Sequence, residues 1–141
     1  MKWKTIVDFF WKIAKSHNSA EEIAWGAAIG TFISVFPTFG LGAPLVIVLS
    51  RVLKFNLAIA LAASIISNPL TSPFFMLLNY KVGSMFFKNP IVFDIDNWKE
   101  NLKDTGLTIL IGAIIVSGAM AVIAYFFSKF MVLKLRNKNQ P

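Results

Sequence analysis

Phe36-Pro37-Thr38-Phe39-Gly40-Leu41-Gly42-Ala43-Pro44 decides how this chain folds. It interrupts Ile23–Ser50, a stretch without a single Asp, Glu, Lys or Arg. That stretch is longer than the roughly 20 apolar residues that cross about 30 Å of hydrocarbon as one helix. Pro37, Gly40, Gly42 and Pro44 together remove too many i→i−4 bonds for a continuous rod with one kink. A second charge-free stretch, Phe55–Tyr80, is interrupted in the same manner by Ser67-Asn68-Pro69-Leu70-Thr71-Ser72-Pro73. A third, Thr105–Ser128, holds no proline and reads as one uninterrupted spanning helix. It ends in Tyr125, Phe126, Phe127 and Lys129, an aromatic and basic interface anchor.

Every acid in the chain (Asp8, Glu21, Glu22, Asp94, Asp96, Glu100, Asp104) lies outside these stretches. Over 141 residues, 56% are hydrophobic and only 15% charged, against about 25% charged in soluble domains. The composition excludes both a water-soluble globule and a disordered chain, and the fold expected is all-α and integral to a membrane. The length allows a single membrane domain, residues 1–141. With no cysteine, disulfides, thiol catalysis and thiolate metal sites are excluded.

Each broken stretch becomes two half-helices, roughly 24–35 with 44–54 and 56–66 with 73–87. A half-helix of about 12 residues covers about 18 Å and is too short to span. The expected arrangement is a pair of re-entrant helical hairpins, broken at 36–44 and 67–73, whose tips meet at membrane depth. Irregular backbone is tolerated there only when buried in protein or lining a wet cavity. The alternative is that each half tilts into a true span around a loop exposed to water. The similar order of apolar helix, Ser, Pro, Thr and second Pro in both stretches suggests an internal repeat of discontinuous helices, as in transporters.

Around this centre, residues 1–18 form an interfacial segment: Trp3, Ile6, Val7, Phe10, Ile13 and Ala14 share one helical face, opposite Lys4, Asp8, Lys12 and Lys15. Ser19-Ala20-Glu21-Glu22 is a capping box opening the paired hairpins of residues 19–88. A polar linker, 89–104, follows, with Asp94 or Asp96 capping a short helix through Trp98 and Leu102. The transmembrane helix (105–134) and a polar tail (135–141) complete the chain. Two hairpins and one span place the N-terminal lysines and Lys129, Lys134, Arg136 and Lys138 on opposite sides. Arg51, Lys54, Lys81 and Lys88 then join the N-terminal side and orient it to the cytoplasm.

The net charge of +7 flanks apolar segments rather than forming a patch, so its partners are anionic lipid headgroups and not nucleic acid. Gly26 and Gly30 form a GxxxG, and Ala113, Ser117 and Ala121 a small stripe, both suited to close helix packing in lipid. These faces serve packing within the chain. A homo-oligomer is also expected, because so few helices cannot cover two irregular tips.

No carboxylate pair, Ser-His pair, metal-spaced cluster or phosphate loop occurs, and His17 stands alone in a polar linker. A non-enzymatic protein without metal or cofactor is therefore expected. The candidate ligand-binding residues are Thr38, Ser67, Asn68, Thr71 and Ser72, hydroxyls and an amide at the tips. The structural breaks are Pro37, Gly40, Gly42, Pro44, Pro69 and Pro73. With Ala43 and Ser72 as N-caps before Pro44 and Pro73, both second half-helices would aim their positive ends at a midplane site for an anionic or neutral group.

Ile23-Ala24-x-Gly26-x-Ala28-Ile29-Gly30-x-Phe32, Pro37-x-x-Gly40, Asn56, Ser67-Asn68-Pro69-x-Thr71-x-Pro73 and Tyr80-x-x-Gly83 carry a family resemblance. Over residues 19–88 the chain resembles the bacterial membrane family called domain of unknown function 2062. Asn-Pro-x-Thr is its most specific element. The family occurs as small standalone proteins and fused to sugar-transfer enzymes. The resemblance implies a multi-pass protein of the bacterial inner membrane near envelope polysaccharide or lipid-carrier metabolism. The expected roles are a small channel or transporter or, alternatively, a scaffold for an envelope-synthesis enzyme.

Overall fold

The computed structural model describes residues 17–87 and 98–138, together with Lys4, Thr5, Asp8, Trp11 and Lys12. Those five residues are helical, but the apolar face expected at Trp3, Ile6, Val7, Phe10, Ile13 and Ala14 lies outside the described residues. So do the expected caps Asp94 and Asp96. The described residues form helices and turns without a strand.

Helix α1 (Ala20–Val35) begins at a capping box. Ser19 Oγ accepts from Glu22 N–H at 3.0 Å, and Glu22 Oε2 accepts from Ser19 N–H at 3.1 Å. It stops at Phe36, which Pro37 forces into extended backbone (φ −69°, ψ 137°). Phe39 (φ 50°) and Gly40 (φ 89°) are left-handed, and they reverse the chain into α2 (Gly42–Leu49). Asn56 then opens α3 (Leu57–Ser64), its Oδ1 accepting from Ile59 N–H at 2.9 Å. After the second break come α4 (Ser72–Ser84) and α5 (Trp98–Asn137). The short helix expected before the last span is continuous with it in α5, whose 40 residues extend about 60 Å. This helix is long and apolar enough to cross a membrane.

Contacts fix the directions. Arg136 Nη2 donates to Asn18 O at 2.6 Å and Lys129 Nζ reaches Glu21 Oε2 at 2.7 Å, so α1 starts at the C-terminal end of α5. Gly26 lies against the Asn56 carbonyl and Gly30 against that of Ala60, so α3 runs parallel to α1. A methyl at Gly26 would stand 2.5 Å from the Asn56 oxygen; here the GxxxG serves packing inside the chain. Asn56 N–H donates to Glu22 O at 2.9 Å, which returns the first broken stretch to the end where it began. The first expected hairpin therefore turns back on itself.

The second stretch does not. Instead of folding onto α3, α4 packs along α5, with Gly83 against Thr108 and Gly112 against Asn79, an antiparallel crossing of near-touching backbones. Since α5 is antiparallel to α1 as well, α4 continues in the direction of α3. The physical reason is the glycine pair: Gly83 and Gly112 let α4 and α5 meet backbone to backbone, whereas α3 is already packed against Gly26 and Gly30 of α1. A second correction follows. Arg51, Lys54, Lys129, Lys134, Arg136 and Lys138 share the end of the molecule where α1 begins, whereas Lys81 and Lys103 lie toward the other. Arg51 and Lys54, expected opposite Lys129, Lys134, Arg136 and Lys138, lie at the same end of the molecule as these. Between Lys129 and Thr108, α5 covers about 32 Å.

Polar side chains share the interior with apolar ones, and large apolar side chains cover the outside. Thr31, Ser34, Asn56, Asn79, Thr108 and Ser117 are buried, while Ile114, Ile123, Phe126 and Phe130 of α5 face outward. Apolar cores remain small: Ile23, Ile59 and Val132 at one end, and Ile33, Val46 and Ala60 beneath the first break.

Candidate functional site

At the second break the Asn-Pro-x-Thr element closes on itself. Asn68 Oδ1 accepts from Leu70 N–H at 2.9 Å and Thr71 N–H at 3.2 Å; Asn68 O accepts from Ser72 N–H at 2.8 Å. Thr71 Oγ1 accepts from Asn68 N–H at 3.0 Å and donates to Ile66 O at 2.9 Å. Asn and Thr supply these bonds because their short polar side chains mimic backbone groups in a turn. Pro69 has no N–H to satisfy. Asn68 and Thr71 are thus engaged with their own backbone.

Ser67 N–H donates to Ser34 Oγ at 2.6 Å, which ties this break to α1. Thr38 is half-buried beside Gly42 at the other break. The N-caps fall one or two residues before the expected Ala43 and Ser72: Leu41 precedes α2 and Thr71 precedes α4, neither accepting a capping bond from its helix through its side chain. Pro44 and Pro73 stay within the first turns, where their missing N–H groups cost nothing. The tips carry exposed apolar side chains, with Phe39 and Leu70 each 88% exposed.

The polar interior lies elsewhere. Asn79, 1% exposed, donates from Nδ2 to Val35 O at 3.3 Å, while its Oδ1 is buried without a partner. Val35 is the last residue of α1, so this amide caps a carbonyl at the helix end. A buried acceptor left unpaired costs about 1–3 kcal/mol. Thr108 Oγ1 donates to Asp104 O at 2.7 Å, and Ser117 Oγ donates to Ala113 O. Ala113 and Ser117 are fully buried in α5 and Ala121 is half-buried. Asn79 escaped the reading of the tips, although a signal was present. Asn79-x-x-x-Gly83 and Thr108-x-x-x-Gly112 repeat one polar-to-glycine spacing, and the antiparallel crossing sets each polar residue opposite the other helix's glycine.

At the polar end, Glu21 is clamped by Lys129 and by the Tyr125 hydroxyl, whose ring meets Trp25 edge-on at 5.2 Å. Hydrogen bonds from Lys129 and then Tyr125 hold the Glu21 carboxyl below the usual carboxylate range. No group of three or more His, Cys, Asp or Glu residues that could hold a metal ion occurs among the described residues.

Residues 4–140 match the family described as "Uncharacterized protein conserved in bacteria (DUF2062)", and the chain belongs to it. The match extends past the broken stretches to include the N-terminal segment and α5. Comparison with curated proteins and with solved structures finds no match.

Proposed function

We propose that this member of the family is a multi-pass inner-membrane protein that passes a small neutral group with hydrogen-bond donors, a hydroxylated lipid headgroup among them, along its polar interior. The first broken stretch dips into the bilayer and returns. The second crosses as a discontinuous helix, and α5 crosses back. The end carrying Arg51, Lys54, Lys129, Lys134, Arg136 and Lys138 faces the cytoplasm, in keeping with the excess of Lys and Arg on that side of membrane proteins. Both ends of the folded unit, Asn18 and Lys138, are then cytoplasmic.

The observation that carries this reading is Asn79. A polar side chain in an apolar half-helix is expensive and marks a pathway more often than a packing accident. Its unpaired Oδ1, an acceptor beside the negative C-terminal end of α1, suits a group that donates a hydrogen bond. The Asn68–Thr71 network favours a second reading, a non-catalytic scaffold for an envelope-synthesis enzyme, because it commits the Asn68 carbonyl and the Thr71 hydroxyl to the turn itself. Homo-oligomers would cover Phe39 and Leu70 under either reading.

Purified protein in liposomes distinguishes the two readings by solute efflux and by scrambling of labelled lipids. Wild-type activity lost in Asn79→Leu but kept in Asn68→Ala supports passage through the interior. Absence of both activities, together with a stoichiometric enzyme partner on purification, supports the scaffold.

A further inference from the structure

A cavity of about 580 Å³ opens at the basic end, between the start of α1 and the turn from α2 to α3. Arg51 and Lys54 line it together with Glu22, Asn56 and the first turn of α3. The Glu22 carboxylate, the one acid in the lining, is already bonded to Ser19 N–H in the capping box. The pocket therefore presents two cations against one committed anion, with the positive end of α3 adding to their field. Val52, 79% exposed, and Leu53 stand between these cations and also line the cavity, and exposed Leu45 and Val48 continue the apolar surface down α2. A water-soluble anion has no use for that surface. An amphiphile with a charged head and hydrocarbon tails fits both parts.

We propose that this cavity binds a phosphate group carried at the head of a membrane lipid, with Arg51 and Lys54 on the phosphate oxygens and Val52, Leu53 and Leu57 against the first carbons of the tails. Arg supplies paired donors that match phosphate geometry, and Lys supplies a point charge. The site deepens the membrane reading above by naming a lipid class, but it requires no translocation.

The test is titration of the purified full chain in a non-ionic detergent at low salt, followed by native mass spectrometry. The probes are short-chain phosphatidic acid, diacylglycerol with the same chains, and inorganic phosphate. Phosphatidic acid is expected to bind most tightly and diacylglycerol least. Arg51→Gln with Lys54→Gln weakens phosphatidic acid binding at least about tenfold, while Lys134→Gln with Lys138→Gln, the same charge change at the same end, alters it little. Inorganic phosphate binding as tightly as phosphatidic acid identifies a soluble phosphate as the ligand and overturns the role of the apolar residues. Equal loss in the two double variants, or no binding of any probe, overturns the site. Flux lost in liposomes while this binding persists would count against the transport reading alone.

Discussion

The two breaks are alike in composition and opposite in effect. Residues 36–41 contain Phe39 and Gly40 in left-handed backbone and send the chain back to its starting end. At 65–71 no residue has positive φ, the side chains of Asn68 and Thr71 hold the turn, and the chain goes onward into α4. At the first break the reversal uses left-handed geometry at Phe39 and Gly40, which glycine supplies cheaply. A turn built on Asn and Thr side chains interrupts the helix without reversing it. The direction of α4 is then set by what it packs on, the glycine crossing with α5.

The largest effect is expected at that crossing. Gly83→Leu drives a side chain into the Thr108 carbonyl, which is backbone and cannot yield, and should cost about 3 kcal/mol. Gly42→Ala meets only Ile33 Cγ2 and Thr38 Oγ1 at 3.4 Å and should cost far less. Unfolding of the two variants in detergent measures the contrast. Asn68→Ala removes the acceptor for two N–H groups and should destabilise the second break by about 2 kcal/mol. Gly40→Ala has open space for its methyl, so its cost is purely conformational, about 1–2 kcal/mol, and confined to the first break. Protease cutting at each break would show whether these two effects stay separate.

The smallest effect belongs to the Glu21 clamp, because an exposed pair contributes little. The carboxyl is held below its ordinary range, so its contribution is complete above that range and fades as pH falls through the lowered value. Stability near neutral pH should not change with pH on this account, and Glu21→Gln should flatten the acid response.

Much of this was legible in the sequence. The capping box at Ser19, the two breaks, and the long helix after Thr105 follow from local rules about caps, prolines and charge. Gly26 and Gly30 announced a close contact but not its partner, because GxxxG carries no information about what lies opposite. The fate of the second break was illegible for a related reason: Pro69 and Pro73 report that the helix stops, whereas the direction taken next depends on Gly112, more than thirty residues away. The self-contained bonding of Asn68 and Thr71 was illegible because a side chain that satisfies its own backbone looks, in sequence, the same as one awaiting a ligand. Asn79 was overlooked since one amide in an apolar run has meaning only once its neighbours are known.

The absence of cysteine makes one measurement decisive. Lys54→Cys, Phe87→Cys and Lys138→Cys are labelled one at a time in intact cells with a membrane-impermeant maleimide, before and after permeabilisation. If the first stretch returns and the second crosses, Phe87→Cys reacts in intact cells, while Lys54→Cys and Lys138→Cys react only after permeabilisation. Labelling of Lys54→Cys and Phe87→Cys from the same side would contradict the crossing of the second stretch.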